Sequence, residues 1–479
     1  MPRNRTIYNS QALYVSRVPA TAQQLNLFTD IRQLSRIQSF NEDFTRNFTD
    51  INQFGNLAAI DRVEVENPDI TASFSYFLTD GVNERSIGLN VYQLATPSSE
   101  LRSCLSGILT KQTDQKNYYL SIIEEGSDAA GYAGRKSGVI GIGNGFLTSY
   151  SINAAVGEIP TAEVEIEGLN IRVYTDVNSN QVVPAINPVN GTNLTNRFFR
   201  LYSAKSITSS DSFFSTETAT ALQPGDIIFS LTNNDTIGFD GTDLKIQDFT
   251  LSFDLPRTPI QKLGNRFPFS REIDFPITAT LEVNAEVGDL RSGNLASLLC
   301  TESIKDFTIL MKKPGCGTNK DNALAYLFKG AKLVSQNFSS TIGDNATMSA
   351  SYEIQMGGPQ DVNNNIFISG SFQDYNALIV EDAGVPTSND IYVYVGMSNG
   401  KPFYRGIDRD ANYISFGQAN QWELFDEDIG EVTYVIPSTS FYPWTSAGAM
   451  ESTDMPYNPP PVISPGNFIP EIGVRTQTI

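Results

Sequence analysis

The sequence contains no histidine, and this absence removes several kinds of chemistry at once. Histidine is the commonest general base, the usual partner of serine and cysteine nucleophiles, and a ligand in most zinc sites. Catalysis by paired carboxylates is the one enzyme class that the composition leaves open. We therefore expect no catalytic residues, no metal site and no cofactor.

Cysteine and long apolar runs are also scarce. The three cysteines (Cys104, Cys300 and Cys316) are an odd number and too few for a disulfide framework. Cys104 and Cys300 lie in corresponding apolar segments, so we expect buried thiols within short helices. No stretch resembles a membrane span, and the opening MPRNRTIYNS lacks the apolar core of a signal peptide. These features predict a protein that is made in a cytoplasm and carries no secretion signal.

Positive charge is scarcer than negative charge, with 33 Lys and Arg against 53 Asp and Glu and a net charge of −20. Binding to nucleic acid through phosphates requires Lys and Arg, so this balance argues against it. An acidic surface can instead form a path along which a polyanion passes without adsorbing. Half of the net charge lies in residues 366–479, where 14 acidic residues meet 4 basic ones.

What the chain does contain is an internal repeat. Residues 146–168 (FLTSYSINAAVGEIPTAEVEIEG) and 332–354 (KLVSQNFSSTIGDNATMSASYEI) correspond at a separation of 186 positions, and Gly157 and Gly343 are predicted to form equivalent turns. Two further blocks correspond in the same order: 117–126 with 306–315, and 70–72 with 277–279. A duplicated, fused domain can occupy two adjacent places in a ring, which indicates assembly rather than chemistry.

The repeat and the local composition together predict a mainly β protein with two tandem sandwich- or barrel-forming domains, each with a short helix. The predicted segments are 1–176 and 197–362 for the two repeats, 177–196 for an Asn- and Pro-rich linker, 366–457 for a small β-sandwich, and 458–479 for a Pro-rich tail. The short helices are predicted at 99–110 and 292–300. The first repeat is about 21 residues longer, and we expect the extra residues in the loop around 126–137.

Three motifs suggest chemistry, but each has a simpler structural interpretation. Gly141-Ile-Gly143-Asn-Gly145 resembles a phosphate-binding motif without the helix that should follow it, so we expect a turn or a close backbone approach. The segment 315–320 (GCGTNK) lacks P-loop spacing and is predicted to be a surface loop. The acidic run 408–431 lacks the spacing of a calcium loop and is predicted to be a solvated face.

A set of aromatic residues distinguishes the last quarter of the chain and includes both tryptophans. Exposed aromatic rings there could stack on sugars or contact another molecule, and packing inside the sandwich explains the same residues equally well. The candidate contact residues of this outer domain are Tyr404, Trp422 and Trp444.

The order of parts in both repeats, with strand, short helix, strand and closing hairpin, resembles the tail tube (major tail) proteins of long-tailed bacteriophages. The resemblance is to the type in which each subunit holds two tube domains, three subunits close a ring, and an immunoglobulin-like domain is appended at the C-terminus. The segments that carry it are 8–18, 69–78, 96–126, 145–168, 275–315 and 332–356.

The resemblance implies a structural virion protein of the phage tail, made in the host cytoplasm and without enzymatic activity. It implies homotrimeric, pseudo-hexameric rings that stack into a tube, other tail proteins as partners, and genome DNA that passes through the lumen without specific binding. No membrane is implied. The alternatives are a tail-tip or baseplate component, a host-surface glycan-binding module, and a carboxylate hydrolase of the tail tip.

Overall fold

The fold is mainly β, as predicted. The described residues contain two short α-helices, both in the first repeat; one lies within the predicted segment 99–110, the other was not predicted, and 292–300 lies outside the described residues. The computed structural model describes residues 11–18, 31–65, 67–93, 102–111, 113–123, 138–175, 181–193, 198–199, 222–230, 245–265, 267–268, 270–287, 305–315, 320–342, 345–371, 377–381, 385–388, 390–398, 401–406, 412–417, 421–426, 428–436, 451–452, 462–468 and 475–476. No helix within these ranges is long and apolar enough to cross a membrane.

The first repeat contains eleven strands and both helices. In chain order these are β1 (Gln11–Arg17), β2 (Ile31–Gln33), β3 (Ile37–Thr45), β4 (Phe48–Ile51), β5 (Asp61–Glu64), β6 (Asp69–Phe77), α1 (Val82–Ser86), β7 (Val91–Gln93), α2 (Ser106–Leu109), β8 (Gln115–Ile122), β9 (Gly138–Ala155), β10 (Thr161–Gly168) and β11 (Asn170–Tyr174).

The rest of the chain adds two short strands, the second repeat and a C-terminal sheet. The strands are β12 (Gln181–Val182), β13 (Phe198–Phe199), β14 (Ile227–Ser230), β15 (Lys245–Asp254), β16 (Arg257–Ile260), β17 (Ser270–Ile273), β18 (Ile277–Glu286), β19 (Lys305–Lys312), β20 (Asn322–Ser339), β21 (Thr347–Met356), β22 (Asn365–Gly370), β23 (Ala377–Glu381), β24 (Asp390–Ser398), β25 (Lys401–Gly406), β26 (Tyr413–Phe416), β27 (Trp422–Asp426), β28 (Glu431–Ile436), β29 (Glu451–Ser452), β30 (Val462–Phe468) and β31 (Arg475–Thr476).

The sequence repeat corresponds to a structural repeat. Strands β1, β8, β9, β10, β6 and β3 lie side by side in that order, and β14, β19, β20, β21, β18 and β15 lie side by side in the same order. Strand β11 pairs with β9 as β22 pairs with β20. Residues 365–370 therefore belong to the second repeat, although the sequence placed 366–370 in the C-terminal domain.

The two repeats also share irregularities that only a duplicated backbone explains. The β9–β10 hairpin skips Thr148, and the β20–β21 hairpin skips Val334, 186 positions further on. Strands β3 and β15 each contain a bulge at a glutamine, Gln38 and Gln247, whose side-chain amide donates to the carbonyl two residues earlier. A bulge changes the direction and twist of its strand, so both sheets bend at the same places.

Two details of the predicted correspondence need correction. The strand registers show that Ile70 in the first repeat is equivalent to Ala279 in the second, not to Ile277. The predicted correspondence was therefore displaced by two residues, and a displacement of two keeps the same face of the strand inward. Most of the extra residues of the first repeat lie between β6 and β8, in the part of the chain that contains the two helices, rather than around 126–137. Gly157 has a φ of 87° in its turn, as predicted, while Gly343 lies outside the described residues.

The Gly141–Gly145 motif permits a close approach of the backbone. A Cβ on Gly143 would lie 2.3 Å from the carbonyl oxygen of Pro184, and one on Gly145 would lie 2.9 Å from the ring of Tyr118. Residues 181–193, predicted to be part of a linker, thus pack on β9, and Val183 and Ala185 are buried there. The glycines create the groove that accepts this segment, which composition alone could not indicate.

One apolar core joins the two repeats. The inward side chains of both repeats form a single cluster, which includes Tyr76, Tyr150, Leu251, Leu281 and Tyr352. Strand alternation produces this core, because successive side chains of a strand point to opposite faces. Cys104 is buried just before the short helix α2, while the segment 292–300, with Cys300, and Cys316 lie outside the described residues.

The C-terminal strands form a single nine-stranded antiparallel sheet, in the order β29, β28, β27, β26, β25, β24, β23, β30, β31. Most neighbours in the sheet are neighbours in the chain, so the described strands form a meander and show no Greek-key connections of an immunoglobulin-like sandwich. Strand β30 from the Pro-rich tail pairs with β23. Residues 462–468 and 475–476 of this tail therefore belong to the sheet.

Candidate functional site: strand edges and an acidic sheet face

The two repeats meet through a strand-to-strand joint inside the chain. Strand β15 of the second repeat pairs antiparallel with β9 of the first, from Asp248 opposite Ala155 to Asp254 opposite Ser149. The result is one continuous sheet of eight strands: β3, β6, β10, β9, β15, β18, β21 and β20. We call this pairing the internal joint.

The ends of the eight-stranded sheet are the counterparts of the two strands in the internal joint. Strand β3 at one end corresponds to β15, and the second half of β20 at the other end corresponds to the second half of β9. Among the described residues, no further strand lies beside β3 or beside residues 335–339 of β20. The chain therefore presents two complementary edges, which we call the β3 edge and the β20 edge.

Apolar side chains that are buried at the internal joint have exposed counterparts at the two edges. Phe253 on β15 is 2% exposed, and its counterpart Phe44 on β3 is 57% exposed. Ile152 on β9 is 1% exposed, and its counterpart Phe338 on β20 is 48% exposed. Large apolar side chains on a strand edge are typical of surfaces that become buried by pairing with another chain.

The outward face of the eight-stranded sheet is polar and acidic. Serine, threonine and asparagine occupy many of its central positions, and Ser151, Ser252 and Thr280 lie opposite one another across β9, β15 and β18. The carboxylates on this face are Asp43, Asp69, Glu163, Glu165, Glu167, Asp248, Asp254, Glu282, Glu286 and Glu353. Lys245 and Lys332 are the basic residues within these strand registers. We call this surface the acidic face.

Each repeat also carries a hairpin that leaves the sheet between corresponding strands. The β4–β5 hairpin connects β3 to β6, and the β16–β17 hairpin connects β15 to β18. Both have the same length and end in the same turn, with Gly55 at a φ of 93° and Gly264 at 91°. Phe54 and Leu263, which precede these glycines, are fully exposed. Neither hairpin was predicted from the sequence, although the matching Gly55-Asn56 and Gly264-Asn265 pairs are a turn signal at equivalent positions of the two repeats.

A buried carboxyl group lies in the core shared by the two repeats. Glu84 accepts hydrogen bonds from the hydroxyls of Tyr76 (2.9 Å) and Tyr150 (3.3 Å), and Tyr150 is 3.1 Å from the hydroxyl of Tyr326 in the second repeat. Burial raises the pKa of Glu84 from 4.5 to about 7, the charge of Asp80 adds to the rise, and the tyrosine hydrogen bonds oppose it. The free energy of unfolding therefore depends on pH through the protonation of Glu84.

Replacing Glu84 with glutamine should remove a pH-dependent part of the stability. The pKa of Glu84 is higher in the folded protein than in the unfolded chain, so its contribution is fully present below about pH 4.5 and is lost as pH rises to about 7. The loss is on the order of 3 kcal/mol. Urea unfolding at pH 5 and pH 8 should show this loss in the wild type and a smaller change in Glu84→Gln. Glu163→Gln, at an exposed position, is the control, and an equal pH change in all three proteins would contradict the prediction.

The structure places two of the three predicted contact residues in the core of the C-terminal sheet. Trp422 and Tyr404 are both 0% exposed, and Trp422 packs edge-on against Phe416 at 5.6 Å between ring centroids. A side chain without exposed surface cannot stack on a sugar, so core packing is the role that the geometry supports. Trp444 lies outside the described residues.

The acidic run near Trp422 is partly structural. Asp426 is buried and accepts hydrogen bonds from the hydroxyls of Thr387 (2.8 Å) and Ser388 (2.7 Å), while Asp428 and Glu431 are exposed. No group of acidic or cysteine residues suited to a metal ion occurs in the described part of the chain. The loop 315–320 is described only at its two ends.

Comparison with known proteins gives limited information about this chain. No protein-family model matches the chain, and no curated protein matches it. Among solved structures, one chain of an anti-feeding prophage (AFP) baseplate, determined by cryo-EM with 6-fold symmetrisation, matches with 8% sequence identity and a TM-score of 0.23. The match covers 36% of this chain and 97% of that one. This similarity is too low to assign a fold or a function.

Proposed function

We propose that this protein is a structural subunit of a phage particle that associates head to tail through its two sheet edges. The observation that carries the proposal is the internal joint, because its two strands have structural counterparts at the free ends of the same sheet. One chain can therefore pair its β20 edge with the β3 edge of the next chain in the way that β9 already pairs with β15. Each contact of this kind joins two different surfaces. Repeated contacts close into a ring when the rotation from one chain to the next is a whole fraction of a full turn.

The internal joint predicts the register of the contact between chains. Asn153 pairs with Thr250 in the internal joint, and their counterparts are Ser339 and Asn41. The full set of expected pairs is Thr341 with Ser39, Ser340 with Phe40, Ser339 with Asn41, Phe338 with Glu42, Asn337 with Asp43, Gln336 with Phe44, and Ser335 with Thr45. In this register Phe44 and Phe338 become covered by the neighbouring chain, as Phe253 and Ile152 are covered within one chain.

Three chains would place six repeats in a ring, which is the trimeric, pseudo-hexameric arrangement of a tail tube. A closed barrel leaves no free strand edges, whereas a single chain leaves two. Eight strands from each of three chains form a barrel with a continuous inner wall. The joints between chains alternate with the internal joints, which explains why the duplicated backbone keeps the same bulges in both repeats.

The acidic face is suited to line a channel for DNA. Phosphate groups bind to Lys and Arg, and this face offers mainly hydroxyls, amides and carboxylates. Repulsion between its carboxylates and a polyanion prevents adsorption, so genome DNA can pass without specific binding. This argument concerns the face itself and does not depend on the acidic C-terminal region.

The hairpin tips are suited to connect one ring to the next. Phe54 and Leu263 occupy equivalent turns in the two repeats, so a ring of six repeats would present six exposed apolar tips. Rings that stack through these tips form an open filament, because a head-to-tail contact along an axis does not close. Stacked rings and further tail proteins at the ends of the tube complete the proposed assembly.

The alternative functions receive different support from the structure. A tail-tip or baseplate ring would use the same two edges and differs only in how many rings a particle contains. A glycan-binding role for the C-terminal sheet receives no support from Trp422 or Tyr404, because both are buried. The proposal assigns no enzymatic activity to the chain.

The proposed register is tested by a pair of engineered cysteines. The protein with Asn41→Cys and Ser339→Cys should cross-link from chain to chain under oxidation, and electron microscopy should show rings of three chains. The control carries Asn41→Cys with Ser335→Cys, four residues or about 13 Å along the strand, and should cross-link weakly. A protein that stays monomeric at high concentration, with no cross-linking, would overturn the proposal.

A further inference from the structure

The hairpin of the second repeat holds the internal joint together from the acidic face. Arg271 on β17 forms an ion pair with Glu167 on β10, and Arg257 on β16 lies over the ring of Phe146 at 4.9 Å. Arg257 also forms a 2.7 Å ion pair with Asp114 and donates to the carbonyl of Leu147 (3.2 Å). The arginine side chains are almost fully buried by these contacts, so the β16–β17 hairpin is docked onto the first repeat.

The hairpin of the first repeat has the same construction but is undocked within the chain. Every residue of β4 and β5 is exposed, whereas β17 includes the buried Arg271. The counterpart of Arg271 is Arg62, and the counterpart of Arg257 is Phe48, because both strand pairs share one register. Arg62 forms a 2.9 Å ion pair with Asp50 on its own hairpin, with both side chains more than half exposed.

The surface that would receive this hairpin is present on the second repeat. Glu167 and Phe146 lie opposite each other on β10 and β9, and their counterparts Glu353 and Lys332 lie opposite each other on β21 and β20. Both counterparts are exposed. They lie next to the β20 edge, which is the edge assigned to the contact with the next chain.

We infer that the β4–β5 hairpin docks onto the second repeat of a neighbouring copy of this chain, with Arg62 paired to Glu353 and Phe48 packed against Lys332. This inference rests on the proposed head-to-tail association, since the hairpin reaches that surface only across the joint between chains. The ion pair reproduces that of Arg271 with Glu167. The contact between Phe48 and Lys332 reproduces that between Arg257 and Phe146 with the two roles reversed. In the second repeat's hairpin the cation is on the hairpin and the ring is on the sheet, whereas here the ring is on the hairpin and the cation is on the sheet.

The free-energy cost of moving Arg62 from Asp50 to Glu353 of the neighbouring copy is small. An exposed ion pair such as Arg62–Asp50 contributes little to stability, so Arg62 can leave it at small cost. Docking removes water from the Arg62–Glu353 pair and strengthens it, as partial burial does for charge-assisted contacts. A lysine ammonium near an aromatic face is attracted to the ring, and this attraction also increases when water is excluded.

Charge exchange between the two partners tests the docking. Arg62→Glu and Glu353→Arg should each raise the protein concentration required for assembly at least 10-fold, because each places like charges together. The double variant should return to within about 3-fold of the wild type, since it restores an ion pair of opposite direction. Lys313→Glu, a matched charge change on an exposed residue after β19 and away from both sheet edges, should have no such effect.

A second pair of substitutions tests the Phe48–Lys332 contact. Phe48→Arg should weaken assembly by repulsion from Lys332, and adding Lys332→Phe should restore it, because the pair then matches Arg257 over Phe146.

The cysteine pair at positions 41 and 339 separates the head-to-tail association from the hairpin docking. Absence of cross-linking in the otherwise wild-type protein would overturn the head-to-tail association and the docking with it. Cross-linking together with unchanged assembly in Arg62→Glu would overturn the docking alone.

Discussion

Replacing Phe44 with aspartate should abolish head-to-tail association and leave the monomer folded. In the proposed joint, Phe44 takes the place of Phe253 and lies opposite Gln336, the counterpart of Tyr150. The substitution removes about 1–2 kcal/mol of apolar burial and places a second charge beside Glu42 on the covered side of the β3 edge. We expect the concentration required for assembly to rise at least ~100-fold, as measured by sedimentation velocity and electron microscopy.

Two control substitutions make the effect of Phe44→Asp specific. Phe44→Leu keeps an apolar side chain and should assemble close to normally. Phe253→Asp makes the same chemical change at the equivalent position of the internal joint, where the side chain is 2% exposed, and should destabilise the monomer itself. Normal ring formation by folded Phe44→Asp would show that the β3 edge is not a contact between chains.

Converting acidic residues of the acidic face to lysine should turn a non-adsorbing channel into one that retains DNA. Each of Glu163→Lys, Glu165→Lys and Glu282→Lys changes the local charge by two units on an exposed part of this face. Co-sedimentation of assembled protein with short duplex DNA should show no binding for the wild type. For the triple variant it should show binding that weakens steeply between about 50 and 200 mM salt, because phosphate contacts release counterions.

The control for the lysine variant carries the same number of charge changes elsewhere on the chain. Asp61→Lys, Glu158→Lys and Glu431→Lys alter exposed residues that lie off the acidic face. This variant has the same net charge as the first, so it separates the position of the charge from its amount. Equal DNA retention by both variants would mean that the acidic face does not line the path of the DNA.

The β3 edge differs from its buried counterpart in a way that protects the free chain. Glu42 occupies the position that Leu251 occupies in the internal joint, and Gln336 on the β20 edge occupies that of Tyr150. An inward-pointing charge on an edge strand discourages indiscriminate pairing with other strands. In the proposed association, the contact between chains would therefore be more polar than the contact within the chain, and the free edge would be less prone to pair with unrelated strands.

Strand positions followed directly from periodicity. The alternation of Ile70, Ala72, Phe74 and Tyr76 predicted a half-buried strand, and β6 buries these four side chains on one face. The block 117–126 was matched correctly to 306–315, because β8 and β19 pair with β9 and β20 in the same register. The match of 70–72 to 277–279 was displaced by two residues, since a period of two makes neighbouring registers resemble one another.

The candidate site was much less visible in the sequence. Aromatic residues such as Trp422 and Tyr404 are enriched in binding surfaces, yet the same residues fill cores equally well. The importance of Phe44 and Phe338 came only from comparing their exposure with that of Phe253 and Ile152. The exposed fraction of a strand side chain depends on which strand pairs beside it, and the pairing strand is often distant in the sequence.

The sequence by itself determined the β character of this protein, its duplication and the absence of histidine chemistry. These properties depend on residue types and on spacing within short contiguous segments, where side-chain alternation acts locally. Only the tertiary structure decided that β15 joins β9, that β3 and β20 remain at the ends of the sheet, and that the acids gather on one face. The pairing of β15 with β9 brings together residues that are 93 to 105 positions apart, and its energy depends on the packing of both partners at once.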